Sequence, residues 1–434
     1  MNKKIIGLSI AMLFAAGGAN AQSTNGSSVE LYGVLDMAVG DVQHSLSTDP
    51  NFPATVNPVS ATKLAVNQSA AGMFNGGITP SRWGIRGTED LGGGIKAIFN
   101  LDSYFNVQSG TLSNAAASLA NNRNSTSGSV SAASSLNGQL FNDVAYAGLS
   151  DATMGTLTLG RQWAPMGDIL KTYDAVQDAQ LFSPLGFSGA YAGGGLTENK
   201  RQDSSIKYTN KFGDFNFVAM AKMGGIAGKS AAGSSYGVGA GYEADGFGVQ
   251  LAYQSSTDTL NGTNSATVGD VNVTNYNSQS FMLAAKYAFG DAKVTGGYET
   301  FTLSKPTDSL ANMGVTTYYG YQIGNLVTAV PAGTPDWAKA DKQTNIFWLG
   351  ADYNFTSAFN LAAGYYDIAP QQSSDLGQKS GTISEFSLLA DYHFSKRTDA
   401  YAGVMYSQYK GNAYPSTEFN TNNSIFAVGL RTKF

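Results

Sequence analysis

A two-residue periodicity, recurring along almost the whole chain, limits its possible folds more than any other feature. At the C-terminal end Phe426, Val428, Leu430, Thr432 and Phe434 share one parity, and Ala427, Gly429, Arg431 and Lys433 share the other. Successive side chains on a strand point to opposite faces, so this segment has one apolar face and one face bearing two cations. Near the other end Leu31, Gly33, Leu35, Met37 and Val39 oppose Glu30, Tyr32 and Asp36. Phe386, Leu388, Ala390, Tyr392 and Phe394 likewise oppose Glu385, Ser387, Asp391 and His393, and Phe281 to Phe289 oppose Ser280 and Lys286 in the same way.

Alternation by itself also fits a soluble sandwich with one wet face. Three features point to a membrane barrel instead. The apolar face often ends in Tyr, Phe or Trp, as interfacial girdles require. Connections alternate between tight turns and long loops. The chain also stops on Phe434, itself a residue of the apolar face. The tight turns are rich in Gly and Asp, as at Asp90–Gly94, Asp151–Gly155, Lys211–Asp214, Ala244–Gly246 and Phe289–Asp291; these residue types supply the positive-φ positions of short hairpins. Long loops are expected near 43–79, 107–139, 164–202, 224–234, 256–277, 305–342, 369–382 and 411–422. The strands between them number sixteen, an all-β antiparallel transmembrane barrel with both ends on the short-turn, periplasmic rim. A barrel of that size encloses water instead of a side-chain core.

Composition agrees. Charged residues are 13% of the chain, against about 25% in ordinary domains, with 52 Gly, 23 Tyr and 23 Phe. There is no cysteine, which excludes disulfides and thiolate metal sites. Lys3 and Lys4, the apolar run Ile5 to Gly18, and Ala19-Asn20-Ala21 read as a cleaved secretory signal over 1–21. The expected mature chain is a single domain, 22–434. Without Lys3 and Lys4 the 26 basic residues fall to 24 against 31 acidic ones, a net charge of −7. That balance argues against a nucleic-acid partner.

The run Ser81-Arg82-Trp83-Gly84-Ile85-Arg86-Gly87-Thr88-Glu89-Asp90-Leu91-Gly92-Gly93-Gly94-Ile95-Lys96-Ala97 resembles the classical general porins of beta-proteobacteria. Tyr146-Ala147-Gly148-Leu149-Ser150, Leu159-Gly160-Arg161-Gln162 and the terminal Phe434 are similar to the same family. The resemblance covers essentially the mature chain. It implies a sixteen-stranded outer-membrane barrel, usually a homotrimer, whose third long loop folds into the pore. It also implies passive diffusion of ions and small hydrophilic solutes, with outer-membrane lipids and lipopolysaccharide as surroundings. The Ala/Ser/Asn-rich second loop and the long first and sixth loops depart from the family pattern.

A pore selects by aperture and by the charges that line it. In loop 164–202 Pro165 can start a short helix, with Ile169, Leu170, Tyr173 and Val176 at helical spacing and Asp168, Asp174 and Asp178 on the other side. The loop is either external and solvated or tucked inside; the resemblance favours insertion. Arg82, Arg86 and Lys207 have lumen parity, and Arg201 suits the mouth. Arg161 shares parity with Leu157 and Leu159, so either a bulge turns it or that face meets another subunit; the resemblance places it in the pore. The expected site opposes Arg82, Arg161 and Lys207 to Asp168, Asp174 and Asp178.

Catalysis finds little support. Gly233-Ser234-Ser235-Tyr236-Gly237 imitates a nucleophile elbow, but it enters a strand where a strand-to-helix turn is required. Gly224 to Ser230 has three residues between its glycines where a phosphate loop has four. His44 and His393 are the only histidines, so neither a metal cluster nor a cofactor is expected. The alternatives are a substrate-specific channel, an outer-membrane hydrolase, and an adhesin built on the long loops.

Overall fold

The computed structural model describes residues 27–46, 68–112, 140–187, 201–224, 231, 233–264, 271–304, 317–318, 321–322, 342–371, 381–410 and 420–434. The expected signal and most of the low-complexity run at 107–139 lie outside them. The strands in chain order are β1 (Ser28–Leu46), β2 (Gln68–Asn75), β3 (Arg82–Gly92), β4 (Ile95–Asn106), β5 (Thr111–Leu112), β6 (Val144–Asp151), β7 (Gly155–Trp163), β8 (Arg201–Phe212), β9 (Phe215–Lys222), β10 (Ser235–Ala244), β11 (Phe247–Asn264), β12 (Val271–Phe289), β13 (Ala292–Ser304), β14 (Thr317–Tyr318), β15 (Tyr321–Gln322), β16 (Lys342–Thr356), β17 (Phe359–Gln371), β18 (Thr382–His393), β19 (Thr398–Lys410) and β20 (Asn420–Lys433).

β2 and β3 are two pieces of one stave, because β1 pairs with β3 from Ser28 to Val34 and with β2 from Met37 to His44. β5, β14 and β15 are two-residue arms. With those set aside, sixteen antiparallel staves remain among the described residues, each hydrogen-bonded to the next. β20 closes the ring on β1, from Val34↔Lys433 up to Leu46↔Asn420. Phe434 completes the seam: its N–H donates to Gly33 O at 3.1 Å, and Gly33 N–H donates to Phe434 O at 3.0 Å. Closure removes the unpaired edges that an open sheet would offer to other chains.

The alternation sorts the faces as the sequence requires. Phe426, Leu430 and Phe434 keep 55, 54 and 51% of their surface exposed, whereas Ile425 and Ala427 are buried. The greasy parity therefore looks outward. Aromatic pairs mark two levels on it, Tyr298 with Phe347 and Tyr365 with Phe386 at one, Tyr353 with Phe355 and Tyr392 with Phe394 at the other. Short turns sit at the second level. At the β10–β11 turn only Asp245 (φ 50°) and Gly246 (φ 80°) lie between the paired Ala244 and Phe247. Two consecutive positive-φ residues give the turn whose twist matches a hairpin.

Two expected loops are shorter than the sequence suggested. β11 and β12 go on pairing to Asn264↔Val271, so strand replaces most of the loop expected at 256–277 among the described residues. Its polar residues look like loop. Yet Thr and Val suit strands, and extending an aligned hairpin adds little closure entropy. The region expected as a loop at 43–79 contains the end of β1, all of β2 and an inward elbow at 76–81, where Gly76 N–H donates to Asp36 O.

Candidate functional site

The segment after β7 packs on inward-parity residues of the staves. Pro165 opens helix α1 (Pro165–Tyr173), where its missing N–H costs nothing. A second short helix, α2 (Pro184–Phe187), follows. Met166, Ile169, Leu170 and Tyr173 of α1 are buried. Each such side chain withdrawn from water contributes about 1.5–3 kcal/mol. The segment then follows the wall. Trp348 Nε1–H donates to Tyr173 O at 2.7 Å, and Tyr366 Oη–H donates to Asp174 Oδ1 at 2.9 Å. Ala175 lies on Gly350 and Gly364, and Phe182 lies on Gly403 and edge-on to Tyr401. Trp348 and Tyr366 alternate with the outward Leu349 and Tyr365, so these contacts are on the inner parity.

Asp174 departs from the expected site. It is fully buried and anchors the loop instead of presenting its charge to a passage. Besides Tyr366 it accepts from Ser183 Oγ at 3.0 Å, Asp178 N at 2.7 Å and Val176 N at 3.1 Å. Burial, and next the Asp178 carboxylate, push its carboxyl up to about 6. The physical reason is that α1 stops at Tyr173, one residue short of it, so the helical spacing no longer holds Asp174 on the face of Asp168. Asp178 sits in a left-handed conformation (φ 60°) in the turn that Asp174 caps.

Asp168 does meet the basic wall. Its Oδ2 accepts from Lys207 Nζ at 2.5 Å, and the same ammonium reaches Trp163 O at 2.9 Å. Lys171 of α1 stands 3.8 Å over the Trp163 ring, close enough for a cation–π contact. Arg82 approaches Asp102 at 3.7 Å and Asp143 at 3.9 Å, within Coulomb reach but beyond hydrogen-bond length. Arg86 pairs with Glu30 at 2.7 Å. Arg82, Arg86, Lys171 and Lys207 together line a recess of about 400 Å³, with Asp102, Asp143 and Asp168 among them.

The remaining two cations lie elsewhere. Arg201 is buried, with Nε on Asp143 Oδ1 at 2.5 Å and Nη2 on Tyr104 Oη at 2.9 Å. Arg161 is not opposite the loop acids. It is buried in the wall, on Asp203 at 2.6 Å and on the Asn142 carbonyl. A register shift between Gly160 and Gln162, with Gly160 at φ 136°, marks the bulge that the sequence left as one of two options. Asp102, Asp143, Trp163 and Lys171 were missed. For Asp102 a signal existed, since Asn100, Asp102 and Tyr104 share a polar parity on β4; Asp143 precedes its strand and carried none.

The description of the Gram-negative porins matches residues 7–412. The chain belongs to that family. Among curated proteins, this porin is 26% identical to an outer membrane porin protein of Bordetella pertussis over the full length of both chains. It is 31% identical to outer membrane porin protein 32 of Delftia acidovorans over 50% of this chain and 48% of that one. Among solved structures, an anion-selective porin from Comamonas acidovorans superimposes with a TM-score of 0.62 at 22% identity, covering 94% of this chain and all of the other. The porin is thus an outer-membrane barrel for passive diffusion.

Proposed function

We propose that the third loop narrows this porin's passage to the side of β3, β4, β6, β7 and β8, and that the charges of the recess set its ion preference. The observation that carries this is the Lys207–Asp168 pair, which joins the wall to α1 across the recess. The loop's apolar side is committed to the opposite staves, β10 to β19, and that supports an opening on the basic side. Arg82, Arg86, Lys171 and Lys207 act on water and solutes there with Asp102, Asp143 and Asp168 interleaved. The transverse field is therefore local and mixed, and orders dipolar solutes as they pass.

Arg82 has the most charge to offer, because its nearest carboxylates lie beyond hydrogen-bond length. In planar bilayers Arg82→Ala and Lys207→Ala are expected to shift the reversal potential under a salt gradient toward cations. Unchanged potentials in both variants would take these residues out of the selective site.

A homotrimer is part of the same proposal. The outward residues of the adjoining staves β6 and β7, among them Ala147, Leu149, Leu157 and Leu159, include no aromatic among the described residues. An apolar face without interfacial anchors suits a subunit contact better than lipid.

A further inference from the structure

The elbow at 76–81 turns into the barrel, and one buried carboxylate holds it there. Asp36, on the inward parity of β1, has no exposed surface. Its Oδ1 accepts from Gly77 N at 3.0 Å, and its Oδ2 from Ile78 N at 3.1 Å and Thr79 N at 2.7 Å. Tyr401 Oη–H donates to Oδ1 as well. The main chain of Asp36 grips both ends of the elbow, with its O accepting from Gly76 N and from Ser81 Oγ at 2.9 Å each. Arg431 Nη1 donates to Thr79 Oγ1 at 3.1 Å from the adjoining stave.

The carbonyls of this elbow then receive the far end of the third loop. Leu181 N donates to Gly77 O at 2.9 Å and Gln180 N to Ile78 O at 3.1 Å. No other backbone–backbone hydrogen bond joins residues 175–185 to the wall among the described residues, and a single side chain of β18, Ser387, donates its Oγ–H to Phe182 O. Phe182 next along lies on Tyr401, the phenol that also caps Asp36. One side chain thus orders the seat, and the seat orders the loop.

We propose that Asp36 is a positioning residue for conduction: by holding the 76–81 elbow it seats the end of the third loop and so sets the aperture. This rests on the proposal that the loop narrows the passage. Asp36 touches no solute. Its effect travels through main-chain hydrogen bonds, and an acceptor-only group is needed because every partner is a donor. Asparagine would turn an N–H₂ toward a donor and lose at least one charge-assisted bond.

The test separates the seat from the aperture. The natural chain has no cysteine, so Leu181→Cys supplies a single thiol that keeps the Leu181 N–H and reports the docked end, which is 4% exposed. In that background Asp36→Asn is expected to raise labelling by a water-soluble maleimide roughly tenfold, the effect of one net charged hydrogen bond at about 1.4 kcal/mol per decade. Tyr401→Phe, which leaves the carboxylate and the barrel in place, should raise it less and in the same direction. Single-channel currents of both should show added flicker and a higher mean conductance, with an unshifted reversal potential, since no recess charge changes. Faster labelling with wild-type conductance would uphold the seat and remove the loop from the aperture. Labelling at the parent rate in Tyr401→Phe, and in Asp36→Asn wherever that barrel folds, would overturn the role of Asp36.

Discussion

Leu349→Arg is expected to reduce refolding into vesicles by one to three decades, read as the fraction of chain that runs as the folded form on unheated gels. Leu349 lies on β16 between the outward Phe347 and Tyr353, which belong to the two aromatic levels, and 65% of its surface is open. That places it near the bilayer midplane, where an arginine costs about 2–4 kcal/mol. At about 1.4 kcal/mol per decade the refolding equilibrium moves by the stated amount. The size of the effect depends on which way residue 349 points and on its depth in the bilayer. Wild-type refolding of this variant would mean that the parity of β16 is reversed.

Gly350→Leu, one residue along, is expected to leave the barrel intact and dislodge the loop. Its side chain would point inward, where a Cβ already falls 2.5 Å from Cα and Cβ of Ala175. Gly350 pairs across the sheet with Gly364, and together they form a groove without side chains into which Ala175 fits. The nearest atom is backbone, so no rotamer change relieves the clash, and a whole isobutyl group must displace the segment. The Tyr366–Asp174 hydrogen bond should break with it. Liposome swelling with graded sugars is the measurement: entry of the larger sugars should rise several-fold over wild type. A folded variant that swells like wild type would show that Ala175 does not hold the loop in the passage.

Neighbouring residues with opposite expected failures show what the period of two settles. Leu349 and Gly350 differ in face, and the face was legible because lipid and water impose different chemistry on alternate positions. The same logic found the staves, the closing seam and the lumen parity of Arg82, Arg86 and Lys207. It also found Pro165 as a helix start. Where the sequence erred, local pattern and tertiary geometry separated. Arg161 follows the outward parity of Leu157 and Leu159 until the bulge at Gly160 intervenes. Asp174 fits the helical face of Asp168 until the helix stops short. Neither a bulge nor a helix end is fixed by which residues alternate, since both depend on what packs beyond.

By itself the amino-acid sequence determined a closed barrel with its inner and outer faces, because these follow from periodicity, turn chemistry and the contrast between lipid and water; whether the stretch at 164–202 lies inside or outside was left open by its residues. Only the tertiary structure decided which charges meet. Lys207 finds Asp168 on a helix that returns from the end of another stave, and Asp36 finds donors more than forty residues away at Gly77, Ile78 and Thr79. Such encounters depend on where the chain is brought back through space, and no spacing along the sequence encodes that distance.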